Sequence, residues 1–409
     1  MQTMEKGFKN TEVGVIPEDW EVKLFNEFAS INGRVGWKGY TKRDLRQSGP
    51  YAIGAKHIDK SNRLDLSEPT HLTREKYLES PEIMVYIDDI LIVQRGSIGK
   101  VVLIDKEIGE ATINPSMVIL RLWENLPSYV FYYLISFDGQ RQTVFDTSST
   151  GVPMITQKQI ANFKIPLPPT KAEQTAIATA LNDADALIQK LEQLIAKKRL
   201  IKTGAMQELL KPKEGWEVKK LGEVADIVGG GTPSTFNSSF WNGDINWFTP
   251  SEIGDSKYSF ESSRKITNEG LKNSSARLLP VGTILLTSRA SIGDASILMI
   301  ESCTNQGFQS LVVKEENSNE FLYYLILTLK QVILQNASGS TFLEISPTKL
   351  KSIEIIIPKS VEQTRIAQIL SDMDNEIAAL EKQLEKYKMI KQGMMQVLLT
   401  GKIRLDYDL

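Results

Sequence analysis

The chain has 409 residues, which is enough for two or three domains, and its 41% hydrophobic and 24% charged residues are ordinary for a globular protein. One cysteine, Cys303, and two histidines exclude an intramolecular disulfide and a zinc cluster, so we expect a reducing, cytoplasmic location and no metal site. The net charge of −2 argues mildly against nucleic acid, no segment approaches the roughly 20 apolar residues of a membrane span, and no export signal is visible.

Positive charge is concentrated near the N-terminus, between residues 34 and 56. Here Asp44 is the only acidic residue, beside six basic ones: Arg34, Lys38, Lys42, Arg43, Arg46 and Lys56. A chain that is nearly neutral overall can still carry a positive face. Two interpretations of this stretch remain open: its basic residues contact DNA phosphates, or they belong to an ordinary solvent-exposed loop.

Short runs of β-branched residues, separated by Gly, Asn, Ser and Asp, predict the strands that follow. These lie at residues 83–94, 100–104 and 117–122, and later at 282–287 and 310–314. Residues 129–137 and 320–334 predict helices packed on these strands, and 160–168 and 350–358 each predict a last strand. Four prolines are expected to stop sheet and helix there: Pro166, Pro168, Pro169 and Pro358.

Two long helical arms follow these regions. Thr170 with Glu173, and Ser360 with Gln363, fit a capping box at the start of each arm. Apolar residues then recur at alternating spacings of four and three, which is the heptad seam of a coiled coil. The predicted interhelical seam consists of Ile177, Leu181, Ile188, Leu191, Ile195, Ile366, Leu370, Met373, Ile377, Leu380 and Leu384. The shared period favours mutual pairing over separate packing of each arm on its own domain.

The chain is an internal duplication. Residues 19–24 match 215–221, Tyr-Tyr-Leu-Ile occurs at 132–135 and 323–326, and Glu-Gln-Thr occurs at 173–175 and 362–364. Arg-Gly-Ser-Ile-Gly at 95–99 matches Arg-Ala-Ser-Ile-Gly at 289–293. A solenoid needs three or more short repeats, so duplication of one domain with its arm is the simpler interpretation.

We therefore predict an α+β protein with two tandem, similar mixed α/β domains, separated and followed by long helices that pair as an antiparallel coiled coil with pseudo-two-fold symmetry. The predicted bounds are 1–168 and 211–358 for the two domains, and 169–210 and 359–405 for the two arms. A helix over residues 171–208 is roughly 57 Å long. Two DNA readers held about 50 Å apart match sites separated by about 15 base pairs, which predicts a split recognition sequence.

The order of these features resembles the specificity subunits of Type I restriction–modification systems. That family alternates a variable domain with a Pro-Pro-x-x-x-Glu-Gln helix, as at Pro168 to Gln174 here. Three strings in the second domain are like its target recognition domains: Gly-Gly-Gly-Thr-Pro-Ser at 229–234, Arg-Ala-Ser-Ile-Gly at 289–293 and Thr-Asn-Gln at 304–306. The first domain has Ile-Asn-Pro at 113–115 but departs at 32–36, where it has Asn-Gly-Arg-Val-Gly in place of the Gly-Gly-Thr-Pro-Ser string.

The resemblance implies a non-catalytic subunit that binds double-stranded DNA and docks two methyltransferase subunits through its helical arms. It also implies restriction subunits with motor and nuclease activity as further partners. Methylation of adenine within a split site then uses S-adenosylmethionine held by the partners. We accordingly expect no cofactor in this chain, since ATP and Mg²⁺ also belong to the partner subunits.

The candidate DNA-binding residues are cationic, hydroxyl or aromatic side chains in predicted loops, where such groups reach bases or phosphates. They are Arg34, Lys38, Arg43, Arg46, Arg95, Ser97 and Lys100 in the first domain, and Thr232, Ser234, Trp247, Arg289 and Ser291 in the second. A buried position is the alternative for Trp247, and a structural ion pair is the alternative for Arg95 and Arg289. Trp20 and Trp216 are expected in the core.

The sequence predicts no catalytic residues. The glycines at 229–231 precede Thr-Pro-Ser and not the Gly-Lys-Ser of a phosphate-binding helix, so we expect a turn there. Asp88-Asp89 also favours a turn over a nuclease metal site. The alternatives are a coiled-coil protein-interaction scaffold without a DNA role, which the near-neutral charge favours slightly, and a stand-alone enzyme, against which the missing cofactor motifs argue.

Overall fold

The computed structural model describes residues 7–34, 39–145, 153–289, 291–339 and 343–405. The chain forms two compact units, the first comprising residues 1–193 and 382–409, and the second residues 194–381. Each unit contains one mixed domain and parts of both long helices. Within the described ranges, no helix is both long enough and apolar enough to cross a membrane.

The domain of the first unit is built around a four-stranded antiparallel sheet. Its strands, in spatial order, are β4 (Ala29–Gly33), β10 (Met117–Leu122), β7 (Ile90–Val93) and β8 (Val101–Leu103). A second sheet has the order β6 (His71–Leu72), β5 (Leu45–Ile53) and β9 (Ala111–Ile113), with β5 and β9 parallel. Two ladders remain: β1 (Phe8–Thr11) with β2 (Gly14–Pro17), and β3 (Glu21–Leu24) with β11 (Lys164–Leu167). The helices are α1 (Arg74–Leu78), α2 (Pro127–Ile135), α3 (Phe137–Phe145) and α4 (Gln157–Ala161).

In the four-stranded sheet of the first unit, the central strands β10 and β7 are buried on both faces. One set of alternating residues packs with α2 and Trp20 in one core: Ile90, Ile92, Val118 and Leu120. The intervening residues pack with the three-stranded sheet in a second core: Leu91, Val93, Met117 and Ile119. Because successive side chains of a strand point to opposite faces, the continuous apolar run of β10 requires an apolar layer on each side.

The domain of the second unit repeats this arrangement. Its larger sheet has the order β13 (Ala225–Gly229), β20 (Gln309–Val313), β17 (Ile284–Leu286), β18 (Ala295–Leu298) and β15 (Tyr258–Ser259). Its three-stranded sheet has the order β16 (Lys265–Ile266), β14 (Trp241–Phe248) and β19 (Ser302–Thr304), with β14 and β19 parallel. A ladder joins β12 (Glu217–Lys220) to β21 (Glu354–Ile357). The helices are α6 (Leu221–Val224), α7 (Asn268–Lys272), α8 (Asn319–Thr328), α9 (Lys330–Asn336) and α10 (Pro347–Lys351).

The predicted duplication is confirmed by the topology. The strand order β4-β10-β7-β8 corresponds to β13-β20-β17-β18, and the parallel pair of β5 with β9 corresponds to that of β14 with β19. The ladder of β3 with β11 corresponds to that of β12 with β21. Both domains are therefore mixed α/β domains of one design.

Several predicted elements have different bounds in the structure. Residues 117–122 form β10 as predicted, whereas only the last part of the predicted strand 83–94 is strand. Asp88 has a φ of 69°, and the Asp89 carboxylate accepts a hydrogen bond from Tyr86 N at 2.8 Å, so the chain turns before β7. The turn predicted for the two aspartates is confirmed.

The predicted helix at 129–137 is α2, which ends at Ile135, and α3 follows it without having been predicted. The predicted helix at 320–334 is a pair of helices, broken at Leu329. The predicted last strands start later than expected, because their first residues belong to α4 and α10. The expectation that Pro166 stops the sheet is wrong, since it pairs with Val22 inside a two-stranded ladder. An edge strand tolerates a proline because its outward side needs no N–H donor.

The two arms are single helices, α5 (Lys171–Leu209) and α11 (Ser360–Leu398), and they pair antiparallel as predicted. In the first unit the carboxylate of Asp185 lies 2.7 Å from Lys391 Nζ, and Glu192 Oε1 lies 3.8 Å from Lys388 Nζ. Position numbers on α11 fall as those on α5 rise, which fixes the direction. In the second unit, ion pairs of Lys198 with Glu376 and of Lys202 with Asp374 have the same sense.

The glutamines of the repeated Glu-Gln motif connect each arm to its own domain. Gln174 Oε1 accepts a hydrogen bond from Leu126 N at 3.0 Å, and Gln363 Oε1 accepts one from Ser318 N at 2.9 Å. Both bonds lie at the start of a Tyr-Tyr-Leu-Ile helix. The capping box predicted for Ser360 with Gln363 is therefore wrong, because α11 already includes Ser360 and the glutamine side chain bonds elsewhere.

Candidate nucleic-acid interface

In the first unit, the Arg-Gly-Ser-Ile-Gly segment forms a loop after β7 that is fixed by backbone hydrogen bonds to distant segments. Gln94 N donates to Ser116 O at 2.8 Å, and Ile155 N donates to Gln94 O at 2.9 Å. Asn114 N donates to Ile53 O at 2.8 Å. These bonds bring together the loops after β5, β7 and β9 and the segment before α4, which we call the first loop cluster.

The second unit contains the same set of bonds. Ser288 N donates to Gly307 O at 2.8 Å, Ile345 N donates to Ser288 O at 3.2 Å, and Asn305 N donates to Phe248 O at 3.0 Å. The loops after β14, β17 and β19 and the segment before α10 therefore form a second loop cluster. The motifs Ile-Asn-Pro and Thr-Asn-Gln supply corresponding positions in the two clusters.

Arg95 and Ser97 are exposed on the first loop cluster. The glycines beside them have positive φ, 84° for Gly96 and 89° for Gly99, which glycine adopts without strain. Arg95 Nη2 lies 3.4 Å from the sulfur of Met154, and Arg95 makes no ion pair with any described residue. Its charge is available for an external anion.

Arg43 and Arg46 are also exposed, the first just before β5 and the second at the start of this strand. A short 3-10 turn, Lys42–Asp44, is capped by Thr41, and Arg46 Nη1 donates to the carbonyls of Arg43 and Leu45, both at 2.8 Å. The Arg43 guanidinium is left toward solvent. The two arginines therefore sit on an ordered segment and present positive charge.

Two candidates in the first domain are engaged in holding the fold, and one lies outside the described residues. Arg34 is only 7% exposed, its Nε donates to Ile113 O at 3.0 Å, and burial lowers its pKa. Lys100 Nζ donates to Ile58 O at 2.6 Å and to a second carbonyl in the same turn. Assignment of Arg34 and Lys100 as DNA contacts is not supported, because their cations satisfy backbone carbonyls. Lys38 lies outside the described residues.

In the second unit, Thr232 and Ser234 are exposed on the loop that follows β13. The Thr232 hydroxyl donates to the side-chain carbonyl of Gln306, and Ser234 O accepts a hydrogen bond from Trp241 Nε1 at 3.1 Å. The loop is thus ordered by contacts to the rest of its domain while its hydroxyl side chains face solvent.

The glycine run before Thr232 is explained by close packing. A Cβ atom on Gly230 would lie 2.0 Å from Asn305 O, and one on Gly231 would lie 2.3 Å from Ser275 Oγ. Gly231 N donates to Thr304 O at 2.9 Å. The run is the end of β13 followed by a close backbone contact, and not the turn that was expected there.

Trp247 is a core residue, so its assignment as a DNA contact is wrong. It is 3% exposed, and its indole Nε1 donates to Gly231 O at 2.8 Å. Its ring packs edge-to-face on Trp241, at 5.1 Å between ring centroids, in a small apolar core that includes Ile266, so the alternative of a buried position is the correct one. Trp20 is fully buried as expected, whereas Trp216 is half-buried against Phe321.

Arg289 takes part in an ion pair, the alternative left open for it. Its Nε lies 2.9 Å from Glu344 Oε1, although 44% of the side chain stays exposed. Ser291 is half-buried, and its carbonyl accepts a hydrogen bond from Thr287 Oγ1 at 2.6 Å. Equivalent arginines of the two clusters thus differ, because Glu344 stands where the first unit has Met154.

Three exposed side chains of the second domain were missed. Phe236 is fully exposed two residues after Ser234, and Gln306 is exposed beside Thr232. Arg264 is exposed and stacks on Trp241, with its guanidinium carbon 3.8 Å from the ring centroid. The repeated Asn at 114 and 305 pointed to Gln306, whereas no sequence signal distinguished Phe236 and Arg264 from ordinary loop residues.

The predicted seam residues differ in burial. Eight are buried: Ile177, Leu181, Ile188, Leu191, Ile195, Ile366, Leu370 and Ile377. The other three, Met373, Leu380 and Leu384, are half-buried. Those near each domain also join its core, as Ile177 and Leu181 do in the first unit and Ile366 and Leu370 in the second.

Known proteins are similar to this chain in sequence and in architecture. The type I restriction enzyme MjaIX specificity subunit of Methanocaldococcus jannaschii is 41% identical over 178 residues, covering 42% of this chain and 41% of that relative. The MjaVIII specificity subunit of the same organism is 27% identical over 440 residues, covering 98% of this chain and 97% of that relative. The crystal structure of a type I restriction–modification S subunit from M. genitalium, 17% identical, superimposes with a TM-score of 0.58, over 93% of this chain and 96% of that one.

The sequence profile described as "Type I restriction modification DNA specificity domain" matches twice, at residues 17–198 and 213–388. Each match spans one mixed domain and a large part of the arm that follows it. Together with the duplicated topology and the antiparallel arms, these matches show that the chain belongs to the type I restriction–modification DNA specificity family.

Proposed function

We propose that this chain is the DNA-recognition subunit of a type I restriction–modification complex and reads a split DNA target with its two domains. The observation that carries this function is the presence of two loop clusters, fixed by corresponding backbone hydrogen bonds, in two domains of a DNA specificity family. Because the chain has two similar recognition domains, each of them can bind one half of a split DNA site. The paired arms act as the ruler between them.

The DNA contacts that we propose are exposed side chains of the loop clusters and of other ordered segments of the same domains. They are Arg43, Arg46, Arg95 and Ser97 in the first domain, and Thr232, Ser234, Phe236, Arg264 and Gln306 in the second. An arginine guanidinium forms paired hydrogen bonds with guanine or with phosphate, and a glutamine amide forms them with adenine. An aromatic side chain contacts the thymine methyl group. Arg289 and Ser291 remain proposed contacts of lower accessibility.

The chemistry of the complex belongs to its other subunits. Two methyltransferase subunits docked on this chain supply S-adenosylmethionine and methylate adenine, and restriction subunits supply the ATP-driven and Mg²⁺-dependent steps. This chain contributes target choice and is not an enzyme. All of these partners, the expected absence of cofactors here and the cytoplasmic location are part of the proposal.

The function is tested by mapping adenine methylation in a host that has no adenine methylation of its own. The neighbouring methyltransferase gene is expressed alone and together with this chain. We expect a split motif only when both are present. Methylation without this chain, or no methylation with both, contradicts the proposal.

A scaffold without a DNA role is the second candidate, and the near-neutral net charge of −2 favours it. The two candidates differ in the salt dependence of DNA binding. A DNA reader that neutralises several phosphates loses affinity steeply as salt rises. DNA binding by the assembled complex that is absent, or that does not change with salt, supports the scaffold.

Replacement of Arg95 by alanine is expected to weaken binding to one half-site only. Loss of one charge-assisted contact costs about 1–2 kcal/mol, roughly a tenfold loss of affinity, and lowers the salt slope by about one. Titration of labelled duplexes with either half-site altered measures both quantities. Arg141→Ala, which removes an exposed arginine on α3, is the matched control and should leave binding unchanged. An equal loss at both half-sites contradicts the assignment.

Replacement of Phe236 by alanine tests the second domain in the same assay. The side chain is fully exposed, so the change should leave the unfolding temperature unaltered. We expect about a tenfold weaker complex with the other half-site, as for loss of one good base contact. Phe260→Ala is the control, because Phe260 is also exposed but follows β15, on a different loop from Thr232, Ser234 and Phe236. Equal effects of the two variants count against a specific contact by Phe236.

A further inference from the structure

Each unit contains a buried tyrosine whose hydroxyl reaches the paired arms. Tyr132 of α2 and Tyr324 of α8 are almost completely buried. Burial raises the pKa of both hydroxyls, so they keep their protons and act as hydrogen-bond donors. Each comes from a Tyr-Tyr-Leu-Ile motif, the first tyrosine in one copy and the second in the other.

In the first unit the Tyr132 hydroxyl donates to Asp185 of α5 at 2.8 Å. Lys391 of α11 lies 2.7 Å from both oxygens of the same carboxylate, and its Nζ is 5.2 Å from the centroid of the Tyr132 ring. The Lys391 and Asp185 side chains are 15% and 30% exposed, so the ion pair is partly shielded from water. One carboxylate thus joins the domain to both arms.

The second unit has the same network with the two arms exchanged. The Tyr324 hydroxyl donates to Asp374 of α11 at 2.6 Å, and Lys202 of α5 pairs with that carboxylate. Lys202 Nζ is 5.5 Å from the centroid of the Tyr324 ring. Lys257 of the domain also donates to the Tyr324 hydroxyl, at 3.0 Å. The aspartate again comes from the arm whose first turn adjoins that domain, and the lysine from the other arm.

An apolar heptad seam by itself does not define one register. A shift of one helix by seven residues places one set of apolar side chains on another, so several registers bury similar surface. An ion pair that is partly shielded from water distinguishes between these registers. In a shifted register its carboxylate faces an apolar side chain and no longer a lysine. Such groups add little net stability, and fixing a register is their best-attested use.

A one-heptad slip is incompatible with both networks. In the first unit it places Leu384 or Leu398 opposite Asp185, according to its direction. In the second unit it places Ile195 or Leu209 opposite Asp374. Either direction of slip therefore deprives both aspartates of their lysines, beneath tyrosine rings that exclude much of the water.

We propose that the two Tyr–Asp–Lys networks, Tyr132–Asp185–Lys391 and Tyr324–Asp374–Lys202, fix the register of α5 against α11 and so restrict the DNA target to a single spacer length. The restriction on the spacer rests on the proposed function, whereas the fixed register does not. These are positioning residues, which act through the arms and contact no base.

The test removes both ion pairs and leaves apolar side chains in their place, in the variant D185L/K391M/D374L/K202M. Because apolar replacement of a shielded ion pair is commonly neutral or stabilising, we expect the variant to melt at or above the wild-type temperature. Its register is measured between spin labels on cysteines replacing Ala186 and Lys382, both exposed. Burial raises the pKa of the Cys303 thiol to about 11, which protects this cysteine from labelling.

We expect one label distance in the native sequence and a second population in the variant, from an axial shift of about 10 Å for seven residues. Methylation mapping should then give two spacers that differ by about 3 base pairs. The control is R199Q/E381Q, which removes an exposed ion pair between the arms and should keep one distance and one spacer.

A single label distance in the fourfold variant overturns the inference. Two distances with one unchanged spacer uphold the register and overturn its link to the spacer, which separates this inference from the proposed function. If the fourfold variant does not fold, the variant D185N/D374N is tested in its place. Asparagine removes the negative charge and keeps an oxygen that accepts the hydrogen bond of each tyrosine hydroxyl. A single narrow distance for that variant also overturns the inference.

Discussion

Inserting one heptad into each arm, after Lys190 and after Leu380, should lengthen the unread spacer of the DNA target by about 3 base pairs. Seven helical residues add about 10 Å, and B-DNA rises about 3.4 Å per base pair. Both half-site sequences should remain the same, because the insertions lie outside both loop clusters. Methylation mapping of the insertion variant measures half-sites and spacer together.

Two features of the arms make this insertion a clean test. A whole heptad keeps the apolar seam facing the opposite helix. Both insertion points also lie between the two Tyr–Asp–Lys networks, so the residues within each network keep their positions relative to one another. A two-residue insertion in each arm is the matched control, because two residues turn a helix by about 200° and place the seam on the face away from its partner. It should reduce methylation without giving a new motif. A change in either half-site after the heptad insertion contradicts the ruler.

Replacing Arg404 with methionine should destabilise the first unit by about 3 kcal/mol. Arg404 binds Glu173 through two hydrogen bonds of 2.7 Å, and its third nitrogen bonds Asp19 at 2.8 Å. The Glu173 side chain is only 1% exposed, so loss of the arginine leaves a buried carboxylate without its cation. The Asp19 contact is more exposed and contributes little.

Urea unfolding, followed with a fluorescence probe in the first unit, measures this loss. Arg74→Met is the matched control, since it removes an exposed ion pair with Glu110 in the same unit and should cost under about 0.5 kcal/mol. The double variant R404M/E173M should regain most of the stability, because no buried charge remains. If R404M and R74M lose equal stability, burial of the Glu173 carboxylate is not the cause of the loss in R404M.

The sequence predicted the architecture well because the architecture rests on local periodicity. The seam of the arms is a period of 3.5 residues, and the continuous apolar run at 117–120 requires layers on both faces of a sheet. The internal duplication gave the domain order without any distance information. The helix break at Leu329 was not predicted because apolar residues continue on both sides of it, and α3 was not predicted because most of its residues are polar.

The site was harder to predict because exposure depends on partners far away in the chain. Arg34 and Arg95 look alike in the sequence, yet one donates to Ile113 O and the other faces solvent. Arg289 meets Glu344 across a loop, whereas its counterpart Arg95 meets Met154. Residue type alone therefore identified the loops that form the clusters but not the side chains that are free within them.

The sequence by itself determined that the protein has two similar mixed domains, each with a helical arm, and that its motifs are those of a DNA specificity family. Spacing along the chain carries this information, because a helix or strand buries residues at fixed intervals. Only the tertiary structure decided which cations remain available and how the arms are held in register. The pairs that decide this, such as Asp185 with Lys391 and Glu173 with Arg404, are more than 200 residues apart, and packing alone brings them together.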